Sequence, residues 1–231
     1  MSRIVDLTVS LETNMPAHLH FQRPVILPHF THQSSVALGL GADGDLFTSA
    51  TMFLGMVDHV GTHVDSFFHT SPKGKTIDEM PLEMFMGKAV CFDMTHIPDL
   101  GDIDVAELEE GERKAGVKID GHIVLLNTGL HKRHFPTEKV MSSNPGITAA
   151  ATHWLADRGS KVHGVEGPST DKPTETAYPN HRVCRDRGIT HYEWLCNLEE
   201  LVGRPAFQFQ GLPLKITKGT GGPTRAIAII D

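Results

Sequence analysis

Short apolar runs rich in Val, Ile and Phe recur along the whole chain, and each is bounded by Gly, Pro or Asp. Runs of this kind are typical of β-strands, and the N-terminal run alternates apolar and polar positions as a half-buried strand does. We therefore predict strands from one end of the chain to the other. The predicted strands cover residues 3–10, 88–94, 122–128, 161–167, 206–216 and 224–231.

Helical patterns are fewer. Residues 104–116 begin with Asp and end with Gly, and residues 148–159 begin with Thr and end with Gly, which are residue types favoured at the two ends of a helix. Within residues 189–203, a short helix is predicted to begin near Asn197, whose side chain would cap it. Because strands outnumber helices, we predict one α/β domain over residues 1–231, with a substantial sheet and a few flanking helices.

Residues 16–56 have little periodicity and include the sequence GLGADGD at 39–45. Long loops in compact domains are usually functional or mobile. This segment could form a lid over a site or contact a neighbouring subunit, and the sequence pattern does not distinguish between these two roles. The histidines in this segment are His18, His20, His29 and His32.

Composition and charge exclude several classes of protein. The 231 residues are 39% hydrophobic and 21% charged, which is ordinary for a globular protein with a sizeable core. A net charge of −7 and the lack of a basic run argue against a nucleic-acid partner. No apolar stretch is long enough to span a bilayer and no signal peptide is evident, so we expect a cytoplasmic protein with no membrane partner. Cys91, Cys184 and Cys196 form no C-x-x-C pair and are expected to be reduced thiols.

The densest group of chemically active residues is DHVGTHVDSFFH, which begins at Asp58 in a chain with 15 histidines. Imidazole and carboxylate are ligands that zinc and manganese accept, so His59, His63 and Asp65 could bind one ion. Gly61 would let the chain bend, and since Val, Gly and Thr are poor helix formers, we expect the ligands to converge from a tight loop or strand end. A polar loop without metal is the alternative, and Asp58 is expected to be a surface or turn residue.

The segment HVGTHVDSFFH resembles the signature H-x-G-T-H-x-D-x-P-x-H of the metal-dependent cyclase-like hydrolases, the group that includes bacterial kynurenine formamidase and isatin hydrolase. The resemblance extends to the opening VDLT and to residues 74–94, 122–129 and 197–230, and it is weakest over residues 16–56. It implies a mixed β-sheet or partly closed barrel flanked by a few helices, of the swivelling β/β/α type.

The resemblance also implies a role for each matched position. The implied metal ligands, in a first and a second group, are His59, His63 and Asp65, then His181 and Glu193. His69 corresponds to the histidine that acts in proton transfer. The implied cofactor is a divalent metal, Mn or Zn, present as one ion or two. The implied assembly is a homodimer or a higher homo-oligomer.

Three departures from the family pattern concern the pocket. Phe67 replaces the proline of the signature, Trp194 stands where Asn is usual, and His191 adds an imidazole. In an extended chain Phe67 and Phe68 would point to opposite faces, so one could line an apolar pocket for a ring-containing substrate, although both could equally be core residues. Gln210 could be a polar group of the pocket or an outward residue of an alternating strand.

The resemblance, together with these residues, implies a metal-dependent hydrolase that cleaves a cyclic or aryl-linked amide in a small molecule. The ion would activate water and polarise the carbonyl, while His69, with an ordinary pKa of about 6.5, would carry the proton to the leaving group. A lactone hydrolase of the same family is the alternative, because an ester carbonyl is attacked in the same way. A non-catalytic metal- or ligand-binding protein on the same fold is the alternative of another class, although the presence of His69 argues against it.

Overall fold

Short strands run from one end of the chain to the other in the computed structural model, which describes residues 2–39 and 47–231. Every predicted strand segment contains a strand, although the segment at 206–216 forms one only over its first part. Numbered in chain order, the strands are β1 (Arg3–Asp6), β2 (Val25–Phe30), β3 (Thr51–Gly55), β4 (His63–Asp65), β5 (Met86–Asp93), β6 (Asp102–Ile103), β7 (Ile123–Asn127), β8 (Gly146–Ile147), β9 (Val162–Val165), β10 (Thr190–Glu193), β11 (Phe207–Gln210), β12 (Gly221–Pro223) and β13 (Ile227–Ile230).

The helices are short and connect the strands. They are α1 (His32–Ala37), α2 (Phe67–Thr70), α3 (Val105–Ala115), α4 (Leu130–His134), α5 (Ala149–Asp157) and α6 (Pro179–Arg187). Single 3₁₀ segments occur at Ile77–Glu79, Leu82–Phe85, Glu138–Ser142 and Leu198–Glu200. Within residues 2–39 and 47–231, no helix has the length and apolar character needed to cross a membrane.

A mixed sheet of nine of the described strands forms the frame of the molecule, in the order β1-β13-β11-β5-β7-β9-β10-β4-β12. The central neighbours β5, β7, β9 and β10 are parallel, and the outer pairs are antiparallel. The sheet curls, because Thr8 just after β1 forms a backbone bridge with Leu195 just after β10. The predicted α/β fold, with a mixed, partly closed sheet and a few helices, is confirmed.

Both faces of the central strands are buried. Cys91 of β5 belongs to one apolar cluster, which extends across the nine-stranded sheet from its edge strand β1 as far as β4. Its neighbour Phe92 belongs to a second cluster on the other face. Leu108 of α3 and Leu155 of α5 complete that second cluster. Each fully buried large apolar side chain contributes roughly 1.5–3 kcal/mol, so the sheet is a well-supported platform for the residues on β4 and β10.

Two helices begin and end where the sequence predicts. At the start of α3, Glu107 Oε2 accepts a hydrogen bond from the backbone amide of Asp104 at 3.0 Å, and the helix ends at Gly116 with φ of 62°. At the start of α5, Thr148 Oγ1 accepts from the backbone amide of Ala151 at 3.1 Å. Local hydrogen bonding therefore determines these boundaries.

The predicted cap at Asn197 is wrong. Only a single 3₁₀ turn, Leu198–Glu200, follows it, and Asn197 has φ of 57° in place of the extended backbone of a capping residue. The Asn197 side chain donates to the backbone oxygen of Asp6 at 2.8 Å. A long-range partner at the end of β1 thus replaces the local cap.

Residues 16–56 include an antiparallel pair that stands apart from the main sheet. β2 pairs with β3 from Val25 and Gly55 to Phe30 and Thr51. The residues before β2 form one wall of the cavity described below. Of the GLGADGD stretch at 39–45, only its first residue falls among the described residues.

Candidate metal centre

β4 and β10 bring three of the predicted residues together on one face of the sheet. The strands are antiparallel neighbours, and His63 pairs directly with Glu193. Alternation along β4 turns His63 and Asp65 to the same side, whereas Val64 between them is buried in the core. His63 Nε2 lies 3.4 Å from Asp65 Oδ1 and 3.5 Å from Glu193 Oε2.

The loop before β4 determines which nitrogen of His63 faces the carboxylates. Gly61 has φ of 71°, a conformation that suits glycine, and its carbonyl accepts a hydrogen bond from His63 Nδ1 at 2.8 Å. Because Nδ1 carries the hydrogen, the neutral ring keeps its lone pair on Nε2, which faces Asp65 and Glu193. The predicted bend at Gly61 is confirmed.

His59 is oriented by hydrogen bonds that begin at Asp58. Thr220 Oγ1 donates its one hydrogen to Asp58 Oδ2 at 2.8 Å, so it accepts from His59 Nε2 at 2.9 Å. Gly221 allows His59 to lie this close, because a Cβ at Gly221 would be 2.8 Å from His59 Cε1. The lone pair of His59 Nδ1 then lies 2.9 Å from Asp65 Oδ1. Two electron-rich atoms at this distance require a proton or a cation between them.

His181 lies in the first turn of α6 and is held there by Asp171. The Asp171 carboxylate accepts from the backbone amides of Asn180 at 2.7 Å and His181 at 3.2 Å, and also from His181 Nδ1. His181 Nε2 is thereby turned towards Asp65 Oδ2, 3.7 Å away, and Glu193 Oε1, 3.9 Å away. A carboxylate on the remote nitrogen is a common support for a metal-binding imidazole.

His69 lies at the open side of the cluster, on the one-turn helix α2 that follows β4. Its Nε2 is 3.7 Å from Asp65 Oδ2, and its side chain is 31% exposed against 5% for Asp65. His69 can therefore contact both the buried cluster and a molecule above it. Because α2 forms directly after β4, His69 does not share the loop that carries His59.

The titratable groups of the cluster shift one another's pKa values. Burial by itself raises the pKa of Asp65, but neighbouring His59 and His191 hold it well below its usual range. Burial lowers the pKa of His59, but the Asp65 carboxylate outweighs this effect and raises it. At His69, burial together with the charges of His59 and His181 outweighs the attraction of Asp65 and lowers the pKa. An ionised, buried carboxylate among imidazoles is an environment that attracts positive charge.

Unpaired atoms in this cluster fit a divalent ion. His63 Nε2 and Asp65 Oδ1 are buried without a hydrogen-bond partner among the described residues. Such atoms are costly to bury, and a bound cation would satisfy them. Their separation of 3.4 Å is close to the distance of about 3.3–3.4 Å between two ligands of a tetrahedral ion with bonds of about 2.0–2.1 Å. Imidazole and carboxylate donors suit zinc and manganese.

A cavity of about 680 Å³ opens above the cluster. Its floor contains His59, Asp65, His69, His181 and Glu193. Rings at its border come from the segment before β2, from the start of α6 and from the end of β10. They are His18, His20, Phe21, Tyr178 and Trp194. A cavity of this size with aromatic walls accommodates a small ring-containing molecule.

Phe67, Phe68 and Gln210 do not line this cavity in the described part of the chain. The predicted alternation of Phe67 and Phe68 is wrong because both belong to helix α2, and Phe67 packs against the core. Gln210 ends β11, whose neighbours are β13 and β5, so it lies away from β4 and β10 in the sheet.

Three residues of the centre receive no role from the sequence. Asp171 and Thr220 orient His181 and His59, but nothing local marks them, since Thr220 is 162 residues from Asp58. His191 is noticed only as an additional imidazole. Its two-residue spacing from a glutamate on a strand is the signal that could have placed both side chains on one face.

The sequence of this chain is similar to known proteins over most of its length. A sequence model of the family described as "Putative cyclase" matches residues 5–172. The kynurenine formamidase of Salinibacter ruber is 29% identical over 170 residues, which cover 73% of this chain and 74% of that protein. The kynurenine formamidase of Erythrobacter litoralis is 29% identical over 174 residues, covering 74% of this chain and 73% of that protein.

Solved structures share the fold across nearly the whole chain. Isatin hydrolase A from Ralstonia solanacearum superposes with a TM-score of 0.85 and 26% identity, covering 100% of this chain and 92% of that one. Isatin hydrolase A from Labrenzia aggregata, bound to benzyl benzoate, has a TM-score of 0.83 and 24% identity, covering 99% of this chain and 94% of that one.

Proposed function

This chain belongs to the Cyclase family, and we propose on that basis that it is a metal-dependent hydrolase, one domain over residues 1–231, that cleaves an aryl-linked or cyclic amide. Two kinds of relative support this reaction. A formamidase hydrolyses a formamide, and isatin, the substrate named for the other, is a cyclic amide fused to an aromatic ring. Both reactions break a C–N bond next to an aryl ring.

One observation carries the proposal: imidazoles and carboxylates from separate segments converge on one buried cluster at the floor of a cavity. The proposed ligands of the divalent metal, Zn or Mn, bound as one ion or two, are His59, His63, Asp65, His181 and Glu193. When bound, such an ion supplies a Lewis acid that makes water more acidic and stabilises negative charge on a carbonyl oxygen.

The supports of these ligands prepare the site before anything binds. The Gly61 carbonyl and the Asp171 carboxylate each hold the remote nitrogen of a histidine, and Thr220 does the same for His59. The ring nitrogens that face the carboxylates therefore need no reorientation. A preorganised set of ligands loses little entropy on binding an ion or a substrate.

We propose His69 as the proton carrier because its side chain is 31% exposed towards the cavity, against 7% for His59 and 10% for His181, the other two histidines that contact Asp65 and line the cavity. His69 Nε2 accepts a proton from the water whose oxygen forms a bond with the carbonyl carbon. The same proton then passes to the leaving nitrogen as the C–N bond breaks. The products are a carboxylic acid and an amine, so atoms and protons balance.

The walls of the cavity support an aromatic substrate. Phe21 and Trp194, which are far apart in the sequence, both border it, and Tyr178 lies at the start of α6. Flat rings pack favourably against such side chains, with pairs of rings contributing about 0.5–1.5 kcal/mol beyond simple burial. An aryl group against this wall would leave its amide carbonyl facing the cluster.

The proposal is tested by assaying the protein, loaded with Zn or Mn, on N-formylated anilines, isatin-type cyclic amides and lactones. We expect hydrolysis of one of the amides, lost after chelation and restored by the metal. Faster turnover of a lactone than of every amide would favour the ester-cleaving alternative. A metal-loaded protein that hydrolyses none of the panel would favour a non-catalytic binding role.

We propose in addition that the protein is a homodimer or a higher homo-oligomer, through the pair β2 and β3. Leu27, Met52, Phe53 and Leu54 on these strands are each at least half exposed, at 50%, 58%, 53% and 51%. An exposed apolar patch of this kind marks an interaction surface. Light scattering after size exclusion should show an oligomer that Phe53→Glu dissociates, whereas Leu82→Glu, at another exposed apolar position, should not dissociate it.

A further inference from the structure

His191 is a fully buried imidazole at the centre of the cluster with no assigned role. It lies on β10 two residues before Glu193, so both side chains are on the same face of the sheet. Both of its ring nitrogens are buried and lack a hydrogen-bond partner within the residues that the structure describes. A histidine that gains no hydrogen bond from burial is costly unless another partner satisfies it.

The position of its Nε2 is that of a metal ligand. Nε2 lies 3.3 Å from Asp65 Oδ2 and 3.3 Å from Glu193 Oε1. Two ligands of a tetrahedral ion with bonds of about 2.0–2.1 Å are about 3.3–3.4 Å apart. The distance from His191 Nε2 to each of the two carboxylate oxygens is therefore the distance expected between two ligands of one ion.

The two carboxylates divide the cluster into two sets of ligand atoms. Asp65 Oδ1 and Glu193 Oε2 face His59 and His63, with Asp65 Oδ1 contacting both histidines and Glu193 Oε2 contacting His63. Asp65 Oδ2 and Glu193 Oε1 face His181 and His191. Each set thus contains two imidazoles and one oxygen from each carboxylate. His69 also lies 3.7 Å from Asp65 Oδ2, but without His191 only one imidazole, that of His181, would contact both oxygens of the second set.

We propose that His191 is a ligand of a second divalent cation, which it binds together with His181, Asp65 and Glu193. This inference rests on the proposed function, because it extends the metal centre of the same site. The second cation would share both carboxylates with the first. His191 is expected to raise the affinity of the second position.

A different grouping places His191 with His163 and Cys184, whose ligand atoms also lie within 4.8 Å of one another. Burial raises the pKa of the Cys184 thiol, and its Sγ donates to Asn180 Oδ1 at 3.4 Å. The thiolate is the form of cysteine that binds metals, so this grouping is disfavoured. The two other members of this grouping, His163 and Cys184, provide matched controls for a substitution of His191.

The test measures metal binding by His191→Leu, with elemental analysis for stoichiometry and a competing chromophoric chelator for the dissociation constants of Zn²⁺ and Mn²⁺. His163→Leu is the control, because His163 pairs with His191 across β9 and β10 and is equally buried. Cys184→Ser tests the other grouping. His191→Asn, which keeps a polar side chain, serves as a second variant if the leucine variant does not fold.

We expect two equivalents of metal on the unaltered protein and on His163→Leu and Cys184→Ser. His191→Leu should keep one tight equivalent and bind the second at least about 100-fold more weakly, the upper end of effects seen when even a supporting residue is removed. The retained equivalent also shows that the variant is folded.

Other outcomes overturn the inference in distinguishable ways. One equivalent on the unaltered protein removes the second position and leaves the proposed hydrolase standing. Two equivalents with unchanged affinity in His191→Leu and His191→Asn show that His191 is not a ligand. Equal loss of the second equivalent in Cys184→Ser assigns it to the other grouping. No metal at all on the unaltered protein contradicts the proposed function as well.

Discussion

The carboxylate of Asp58 accepts hydrogen bonds from both the backbone amide and the hydroxyl of Thr220, at 2.9 Å and 2.8 Å. The two residues are 162 positions apart, and their contact attaches the chain before β12 to the loop before β4. Since the hydroxyl hydrogen is committed to Asp58, Thr220 can only accept from His59. Asp58 lies in a turn, as the sequence predicts, but it has a further role that the sequence does not show, because it directs the tautomer of His59.

Removal of this hydroxyl should weaken the metal centre. Thr220→Val leaves His59 Nε2 without its acceptor, so the ring loses its preferred tautomer and orientation. We expect metal affinity to fall by about 10–100-fold, as found when supporting residues of a metal site are removed. Chelator competition measures the change.

Thr8→Val is the matched control for this substitution. Its hydroxyl donates to the backbone oxygen of Ala226 at 3.1 Å, away from the cluster. Thr8→Val loses one hydrogen bond and should lower the unfolding free energy by about 1 kcal/mol, whereas Thr220→Val loses two and should lower it by about 2 kcal/mol. Equal metal affinity in the two variants would contradict the proposed support of His59.

Replacement of His69 should separate proton transfer from metal binding. His69→Gln keeps a neutral polar side chain of similar reach but cannot carry a proton between water and the leaving group. We expect kcat on the best amide substrate to fall by about 10²–10⁴-fold with metal content unchanged. His96→Gln, at an exposed histidine after β5, should behave as the unaltered protein. An undiminished kcat, or loss of the metal, would rule out the assigned role.

Gly61→Ala should disturb the centre more than the fold. Gly61 and Gly188 have φ of 71° and 62°, so alanine at either position is strained by about 1–2 kcal/mol. At Gly188 nothing lies within 4 Å of the added Cβ, and the strain is the whole effect. At Gly61 the strain rotates the carbonyl that accepts from His63. An added Cβ at Gly61 also meets Leu11 Cδ2 at 2.5 Å, so denaturation should show a larger loss in Gly61→Ala than in Gly188→Ala. Metal affinity should fall only in Gly61→Ala, and unchanged metal affinity in that variant would refute the prediction.

Glu166 should make stability fall as pH rises. Burial raises its pKa above the ordinary value of 4.5, although Thr128 and nearby amides donate hydrogen bonds to it. The folded protein therefore binds this proton more tightly than the unfolded chain. Its contribution to stability is complete below pH 4.5 and is lost as the pH rises through the folded-state pKa.

Comparison with Glu166→Gln isolates this effect, because glutamine does not titrate. The difference in unfolding free energy between the two proteins should change in favour of the glutamine variant between pH 4.5 and neutrality. Urea denaturation at a series of pH values measures it. A difference that stays constant over this range would show that Glu166 has an ordinary pKa.

Much of the fold can be predicted from local sequence patterns, because the burial of a strand and the capping of a helix depend on residues that are close together in the chain. The apolar runs at 88–94 and 122–128 become the central strands β5 and β7, since a strand buried on both faces needs a continuous apolar sequence. The helix starts at Asp104 and Thr148 are predictable because the hydrogen-bond partners, Glu107 and Ala151, are each three residues away. Asn197 fails as a cap because a distant carbonyl competes for its side chain.

The same distinction applies to the candidate centre. Spacing along the chain relates His63 to Asp65, because alternation turns both to one side of β4. It cannot show whether the chain stays extended beyond them, and the turn of helix at Phe67 removes both phenylalanines from the pocket.

The sequence by itself determined the local components: six of the strands (β1, β5, β7, β9, β11 and β13), two helix caps, the bend at Gly61, and a short segment rich in metal-binding side chains. Tertiary structure alone decided which distant residues join them. The order of strands in the sheet places Glu193 opposite His63, and the return of the chain before β12 brings Thr220 to Asp58. Hydrophobic periodicity encodes which face of an element is buried, but it carries no information on which buried faces meet.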